Sequence, residues 1–273
     1  MLNRAVEPLT AYRLFDRLAG KLRYHRGLRR AQHYTGDPES QRGRALVGLR
    51  EMVLRGEFAP GERIADIEVS RRLGVSKPLV RVAMERLLQE GLLEPAEANG
   101  FSVREFTLRD IRDSIEARGV VEGMAARLAA ERLGDAAELD SAKRINHEIQ
   151  AVVETGTFPQ APTPDAMHAY AELNSAFHAA IVNLAKSPML SWSLERLQSI
   201  PFASPAAVVP PRSGDGAGAA IEQHRQILEA IEARDGARAE AMMRQHAAFA
   251  RQSVEEALAD AQDASRSSSL VLV

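Results

Sequence analysis

Residues 66–103 read DIEVSRRLGVSKPLVRVAMERLLQEGLLEPAEANGFSV. The order of breakers and apolar positions in this stretch predicts two short helices followed by a hairpin. Asp66 can cap a helix that carries Val69 and Leu73 on one face, and Gly74 closes it. Ser76 is placed to cap a second helix, where Pro78 is tolerated in the first turn and Val80, Ala83, Leu87 and Leu88 face inward. Gly91 ends that helix. Leu92 and Leu93 begin a strand, Asn99-Gly100 is a turn dipeptide, and Phe101 to Val103 return as a second strand. Taken together this is the pattern of a winged helix-turn-helix. Ser76, Lys77, Pro78, Leu79 and Arg81 open the second helix, and Asn99 and Gly100 form the tip of the wing. These seven are the candidate DNA-contacting residues, since polar and basic groups off the apolar stripe can reach base edges and phosphates in a major groove.

The same stretch closely resembles the GntR family of bacterial transcription regulators. The resemblance rests on Pro60-Gly61-Glu62-Arg63-Ile64, Leu73-Gly74-Val75-Ser76, Val80-Arg81, the run Leu87 to Leu92, and Gly100. Most relatives read Ser-Arg-Thr-Pro-Val-Arg where this chain has Ser76-Lys77-Pro78-Leu79-Val80-Arg81. The proline is one place early, a threonine is missing, and lysine replaces arginine. Lysine keeps a point charge but loses bidentate recognition of guanine.

Working outward, Arg44 to Arg55 forms the first helix of this module, with Leu46, Leu49, Val53 and Leu54 inward. Ahead of it, Leu14, Leu18 and Leu22 recur at helical spacing among Arg13, Arg17, Lys21 and Arg23, until Gly36-Asp37-Pro38 interrupts. Behind it, Thr107-Leu108-Arg109-Asp110 has capping-box spacing with aspartate in the usual glutamate position. From there nearly everything is helical in period, with helices expected at 108–132, 135–155, 165–185, 187–198, 217–233 and 236–259. Pro159, Pro162 and Pro164 mark one loop, and Pro201, Pro205, Pro210, Pro211 and Gly214-Asp215-Gly216 a longer, mobile one. The expected fold is mainly α: a winged helix-turn-helix with a small β-hairpin, followed by an all-α antiparallel bundle.

Of 273 residues 45% are hydrophobic and 26% charged, which suits a chain with a proper core. There is no cysteine, which excludes disulfides, thiolate metal sites and cysteine nucleophiles. No apolar run reaches membrane-spanning length and the N-terminus lacks a signal-peptide core, so the cytoplasm is the expected location and no membrane partner is expected. The net charge of −2 hides a polarity: +5 over residues 1–42, +1 over 43–104 and −8 beyond. The positive end is the one suited to phosphate.

Within the bundle, three of the seven histidines are related by position. His224 lies in the stripe Ile221, His224, Leu228, Ile231, and His246 in the stripe Met242, His246, Phe249, Val254. Each is eleven positions from Asp235, where the turn between their helices is centred, so an antiparallel hairpin sets them at one height. His178 lies on another helix with Asn174 one turn before it, on the same face. Three histidines and one oxygen ligand suit zinc, nickel, manganese or iron; core histidines bonded to carbonyls or carboxylates are the alternative. Arg118 and Glu122 share the interior stripe Ile111, Ile115, Arg118, Glu122, Ala125, either as an internal ion pair or as an anion site.

Residues from about 108 to 258 resemble the FCD domain, the all-helical ligand-binding domain of the FadR branch of GntR regulators. Arg118 and Glu122 with Ala129-Ala130, Phe177-His178 with Ile181, Glu222 and His224 with Ala230-Ile231, and Asp235 with Ala239 and His246 carry this resemblance. It implies that His178, His224 and His246 are metal ligands together with the aspartate position four residues before His178, and that Arg118 holds an effector carboxylate which Glu122 orients. The aspartate position is Asn174 here, a neutral carbonyl ligand, which weakens divalent metal binding. Either a metal binds with help from an anionic ligand, or the histidines take the ligand alone. The effector-binding set is Arg118, Glu122, Asn174, His178, His224 and His246.

The divisions expected are a basic N-terminal extension at 1–42, the winged helix-turn-helix at 43–105, an all-helical ligand-binding and dimerisation domain at 106–259, and a disordered tail at 260–273. The functional expectation is a homodimeric, double-stranded-DNA-binding regulator on an inverted-repeat operator, controlled by a small carboxylate. The competing expectation is a metal-dependent enzyme using the three histidines, although no general base is evident beside them.

Overall fold

The computed structural model describes residues 40–156, 158, 162–198, 203–205 and 216–269. The expected helix around Leu14, Leu18 and Leu22, and most of the proline-marked stretch from Pro201 to Asp215, lie outside the described residues. The chain divides into two compact units after Asp110.

In the first unit, α1 (Gln41–Leu54) starts at Ser40, whose hydroxyl accepts from Gly43 N at 3.0 Å. It packs on α3 (Lys77–Gln89) with α2 (Asp66–Leu73) beside both. Leu49, Val53, Val69, Val80 and Leu87 are fully buried and form the shared core. Gly74 ends α2 in the left-handed conformation, as expected. Asp66 is not the cap of α2. Ala65 holds that position, and Asp66 sits in the first turn, where its charge complements the helix dipole without a capping bond. Ser76 is at the cap position of α3 but makes no side-chain capping bond.

The wing pairs β1 (Leu93–Ala96) antiparallel with β2 (Gly100–Val103), Leu93 opposite Val103 and Ala96 opposite Gly100. The strand therefore runs further than Leu92-Leu93, and the turn comes earlier than Asn99-Gly100. Its two central residues are Ala98 and Asn99, both left-handed (φ 52° and 54°), and Gly100 N closes on Glu97 O at 3.2 Å. Gly100 instead begins β2 beside Arg63: a Cβ there would lie 2.7 Å from Arg63 Nε, so that side chain would have to shift. The segment Gly61–Ile64 runs along the other side of β2, with Ile64 N donating to Phe101 O.

The second unit is a helical bundle. α4 (Leu108–Arg132) opens at the Thr107–Asp110 capping box, where Thr107 N donates to Asp110 Oδ2 at 2.8 Å and Asp110 N to Thr107 Oγ1 at 3.1 Å. A 3-10 turn (Ala136–Leu139) leads into α5 (Asp140–Thr155). α6 (Pro164–Leu184) is capped by Thr163, with Pro164 as its first residue rather than part of the loop. α7 (Pro188–Gln198), α8 (Gly216–Glu232) and α9 (Gly236–Ser269) follow. The last helix continues past 259, the end expected from sequence, through residues assigned to a disordered tail. The stretch 257–269 contains no glycine or proline, and its first half holds three alanines with Leu258 and Gln262, all favourable helix formers, so nothing stops propagation.

Packing decides where the site lies. α5 contacts α6 and α8, and α8 contacts α9. Phe177, Ile181, Ile227, Ile231 and Ile149 are fully buried in the common core. α4 approaches α9 closely because Gly119 and Gly123, one turn apart, carry no side chain. A Cβ on Gly119 would meet Ala247 Cβ at 2.8 Å, and one on Gly123 would meet Arg244 Cγ at 2.7 Å. The residues between those contacts, Arg118 and Glu122 on α4 and His246 on α9, are thereby brought into one interior.

Candidate functional site

Two constellations are present, one in each unit. In the first, Ser76, Lys77, Pro78 and Arg81 are exposed at the start of α3, Leu79 is half-buried, Asn99 is exposed, and Gly100 is half-buried. Arg81 Nη2 donates to Asn99 O at 3.0 Å, so the helix side chain and the wing tip are tied together. Arg63, stacked against Gly100, brings a second exposed guanidinium to the same turn. Val82 stands 46% exposed on α3, one turn after Pro78. Neither Arg63 nor Val82 was singled out by the pattern. An exposed β-branched residue on a basic helix face was the available signal for Val82.

In the second unit the three histidines meet. His224 Nε2 lies 3.2 Å from His246 Nε2, which lies 3.3 Å from His178 Nε2, and all three rings are buried. Each ring has an oxygen on its far side. His224 Nδ1 is 3.1 Å from Asn146 Oδ1, and His246 Nδ1 is 2.9 Å from Gln223 Oε1. His178 Nδ1 lies 3.2 Å from Glu122 Oε2, in an ion-pair contact without hydrogen-bond alignment. Asn146 Nδ2 donates to Ile221 O at 3.3 Å, which orients its amide with the oxygen toward His224. The amide oxygens behind His224 and His246 favour the proton on Nδ1 of those two rings, and the Nε2 atoms of all three histidines converge on one point. Phe177 stacks on His224 at 3.8 Å between ring centroids and closes that side.

Burial and the neighbouring rings keep the His224 and His246 imidazoles neutral. Burial first, then His246 and His178, holds His224 far below its ordinary range. Burial and His178 push His246 down to about 3. Burial alone would raise the Glu122 carboxyl, but His178 and Arg118 beside it reverse this and hold it at about 2. Neutral imidazoles and an outer carboxylate are the protonation states a metal requires.

The residues fit a divalent ion. Tetrahedral zinc with Zn–N of roughly 2.0–2.1 Å spaces its nitrogens about 3.3 Å apart, and the His224–His246 and His246–His178 Nε2 separations are 3.2 and 3.3 Å. The three ligand atoms all lie within 4.8 Å of one another. Asn174 is buried on the same helix as His178, and its Oδ1 has no hydrogen-bond partner among the described residues. Arg118 and Glu122 are fully buried, with Nε 3.6 Å from Oε2. Arg118 Nη1 also donates to Ala203 O at 2.7 Å, and Asn174 Nδ2 to Pro205 O at 2.9 Å. Asn146, Gln223, Ala203 and Pro205 were not anticipated. Asn146 could have been found as a polar residue on the apolar stripe Ala142, Ile145, Ile149.

Two families of known proteins match this chain. Residues 44–103 match the family described as bacterial regulatory proteins, gntR family, and residues 113–249 match the FCD domain. The HTH-type transcriptional regulator YdhC of Bacillus subtilis strain 168 is 26% identical over 183 residues, 67% of this chain and 77% of YdhC. The HTH-type transcriptional repressor RspR of Escherichia coli strain K12 is 25% identical over 202 residues, 72% of this chain and 82% of RspR. The structure of E. coli McbR/YncC is similar in fold, with a TM-score of 0.55 at 23% identity, covering 81% of this chain and 98% of that one. YdhC and RspR are named as a transcriptional regulator and a transcriptional repressor, not enzymes, and the metal-dependent-enzyme expectation gives way to that and to the two family matches. No helix among the described residues is long and apolar enough to cross a membrane.

Proposed function

The chain belongs to the bacterial gntR family of transcription regulators, with a C-terminal FCD domain, and from that premise we propose that it works as a homodimer on an inverted-repeat operator under the control of a small carboxylate bound in the helical domain. The observation that carries the effector reading is the convergence of His178, His224 and His246 through Nε2, each ring backed by an oxygen on its far side. Three imidazole nitrogens would fill part of a metal's coordination sphere and leave positions for an acid's oxygens. A divalent ion such as zinc, nickel or manganese held there would supply positive charge for the acid. Arg118 is the protein's own cation in that interior, and Glu122 orients both it and His178.

DNA recognition is assigned to Ser76, Lys77, Pro78, Leu79 and Arg81 with the wing residues Asn99 and Gly100. Lys77 and Arg81 supply phosphate and base contacts, and Val82 offers an apolar surface to a thymine methyl. The homodimer reading is supported by exposed apolar residues. Val120 and Met124 share one face of α4, and Met189 and Trp192 one face of α7, with Trp192 61% exposed. The two helices meet beside them, where Leu190 packs on Ala125, Leu128 and Ala185.

A thermal-shift series tests the effector reading. Purified full-length protein is heated with acetate, malate or citrate, with added zinc or manganese and with chelator. A rise in Tm with an acid that depends on metal supports the reading; no response to any acid under any condition ends it.

A further inference from the structure

Two of the donors that an acid effector would need are held by one tripeptide of the chain itself. Arg118 Nη1 donates to Ala203 O at 2.7 Å, and Asn174 Nδ2 donates to Pro205 O at 2.9 Å, both bonds buried. Ala203 and Pro205 are buried although the tripeptide belongs to neither of the helices that precede and follow it in sequence, α7 and α8. A main-chain carbonyl is a neutral acceptor, and a hydrogen bond from guanidinium to carboxylate is about twice as strong as a neutral one. The same interior keeps polar atoms without hydrogen-bond partners among the described residues: Asn174 Oδ1 and Arg118 Nε, the latter only in ion-pair reach of Glu122. Buried atoms of this kind are costly, and they mark a space where a polar ligand would be stabilised.

Resting on the effector reading above, we propose that Ala203–Pro205 is an internal ligand of the pocket. Its two carbonyls occupy Arg118 and Asn174 when no effector is bound, and the effector binds by taking both donors away from it. This defines the ligand class. The acid must present two oxygen acceptors on separate groups, as a dicarboxylate or a hydroxy acid does, one for the guanidinium and one for the amide. It also gives Asn174 a role that aspartate could not fill, because a carboxylate cannot donate to Pro205 O. Release of the tripeptide is then the event that distinguishes the two states of the domain, and the effector's differential affinity for them is the competition for these two donors.

The chain has no cysteine, so Ser204→Cys in the full-length protein creates a single thiol in the tripeptide. Its rate of reaction with a disulfide-exchange reagent reports exposure of the segment. Malate and citrate at saturation, judged by calorimetry, are expected to raise that rate about tenfold, the factor carried by one charge-assisted bond, and acetate is expected to leave it unchanged. Arg118→Gln and Asn174→Ala, each in the Ser204→Cys background and checked for folding by circular dichroism, are expected to raise the rate with no acid present. Malate or citrate that binds without changing the rate overturns the internal-ligand proposal and leaves the effector reading standing. A folded Arg118→Gln or Asn174→Ala protein with the parent rate overturns it as well. If no acid binds at all, the effector reading falls and the displacement falls with it.

Discussion

His224 Nε2 and His246 Nε2 face each other across 3.2 Å, each with its Nδ1 set against a side-chain amide oxygen. Two unprotonated nitrogens at this distance repel unless something positive lies between or beside them. His246→Ala removes one ligand of three and should lower zinc or manganese affinity by two orders of magnitude or more. Asn146→Leu leaves all three ligands and removes only the acceptor that fixes the His224 ring; about a 10–100-fold loss is expected there. Calorimetric titration of the two variants checks this. Equal, undiminished affinity in both would mean the histidines are not the ligands.

The neutrality of these rings has a consequence for pH. The folded-state values of His224 and His246 are depressed, so the unfolded chain takes up protons near 6.5 that the folded chain refuses. Stability from this source is therefore complete above about pH 6.5 and is lost as pH falls, down to about 3 for His246. The slope is about 1.4 kcal/mol per pH unit for each ring. Glu122 adds to the loss only below its unfolded value near 4.5. Urea titrations followed by circular dichroism in chelator, between pH 7 and 5, should show the decline, and His246→Gln should reduce its slope by about one proton. Parallel curves for the two proteins would contradict the assignment.

In the reading head, Arg81 reaches the wing through Asn99 O. Arg81→Ala should then cost on the order of 1–3 kcal/mol in operator binding if the side chain reads a base. Lys77→Ala should weaken all sequences alike and lower the salt slope by about one. Fluorescence anisotropy on a selected site and on unrelated DNA separates the two roles.

What could be read from sequence was what periodicity encodes. The apolar stripes placed Arg118, Glu122, His178, His224 and His246 inward, and the equal distance of His224 and His246 from Asp235 set them level. What could not be read was carried by atoms without a pattern. Ala203 and Pro205 act through main-chain carbonyls, which no residue type announces. Gln223 sits next to His224 in sequence but serves His246 on the neighbouring helix. The wing turn was displaced by one residue because Asn99-Gly100 invites a glycine-based turn, whereas the two left-handed residues are Ala98 and Asn99 and Gly100 begins β2. Helix ends depended on what stops a helix, and the last helix ran on where sequence offered no stop.

The exposed faces of α4 and α7 predict an oligomeric outcome. Trp192→Glu or Met124→Glu places a charge on an apolar surface that costs nothing to hydrate in a monomer and is penalised when buried against a partner. Either variant should shift the protein toward monomer in sedimentation velocity while leaving its helical content intact. A dimer unaffected by both would direct the search to another face.

Asn174 joins the metal question to the internal ligand. Asn174→Asp supplies an anionic oxygen on the same helix face as His178, so affinity for zinc or manganese should rise. The same change deletes the donor that holds Pro205 O at 2.9 Å and sets a carboxylate toward that carbonyl. Like partial charges at that distance repel, so the tripeptide should be released as the metal site tightens. The two effects are separable. Calorimetry reads the metal, and thiol reactivity in the Ser204→Cys background reads the segment. Asn174→Ser shortens the side chain and removes the amide donor without adding charge, so it should loosen the segment with no gain in metal affinity. An Asn174→Asp protein that binds no metal would end the metal-site reading, whatever the tripeptide does. One that binds metal tightly while the tripeptide stays unreactive would instead mean that Pro205 is held by its own packing and not by the amide of Asn174.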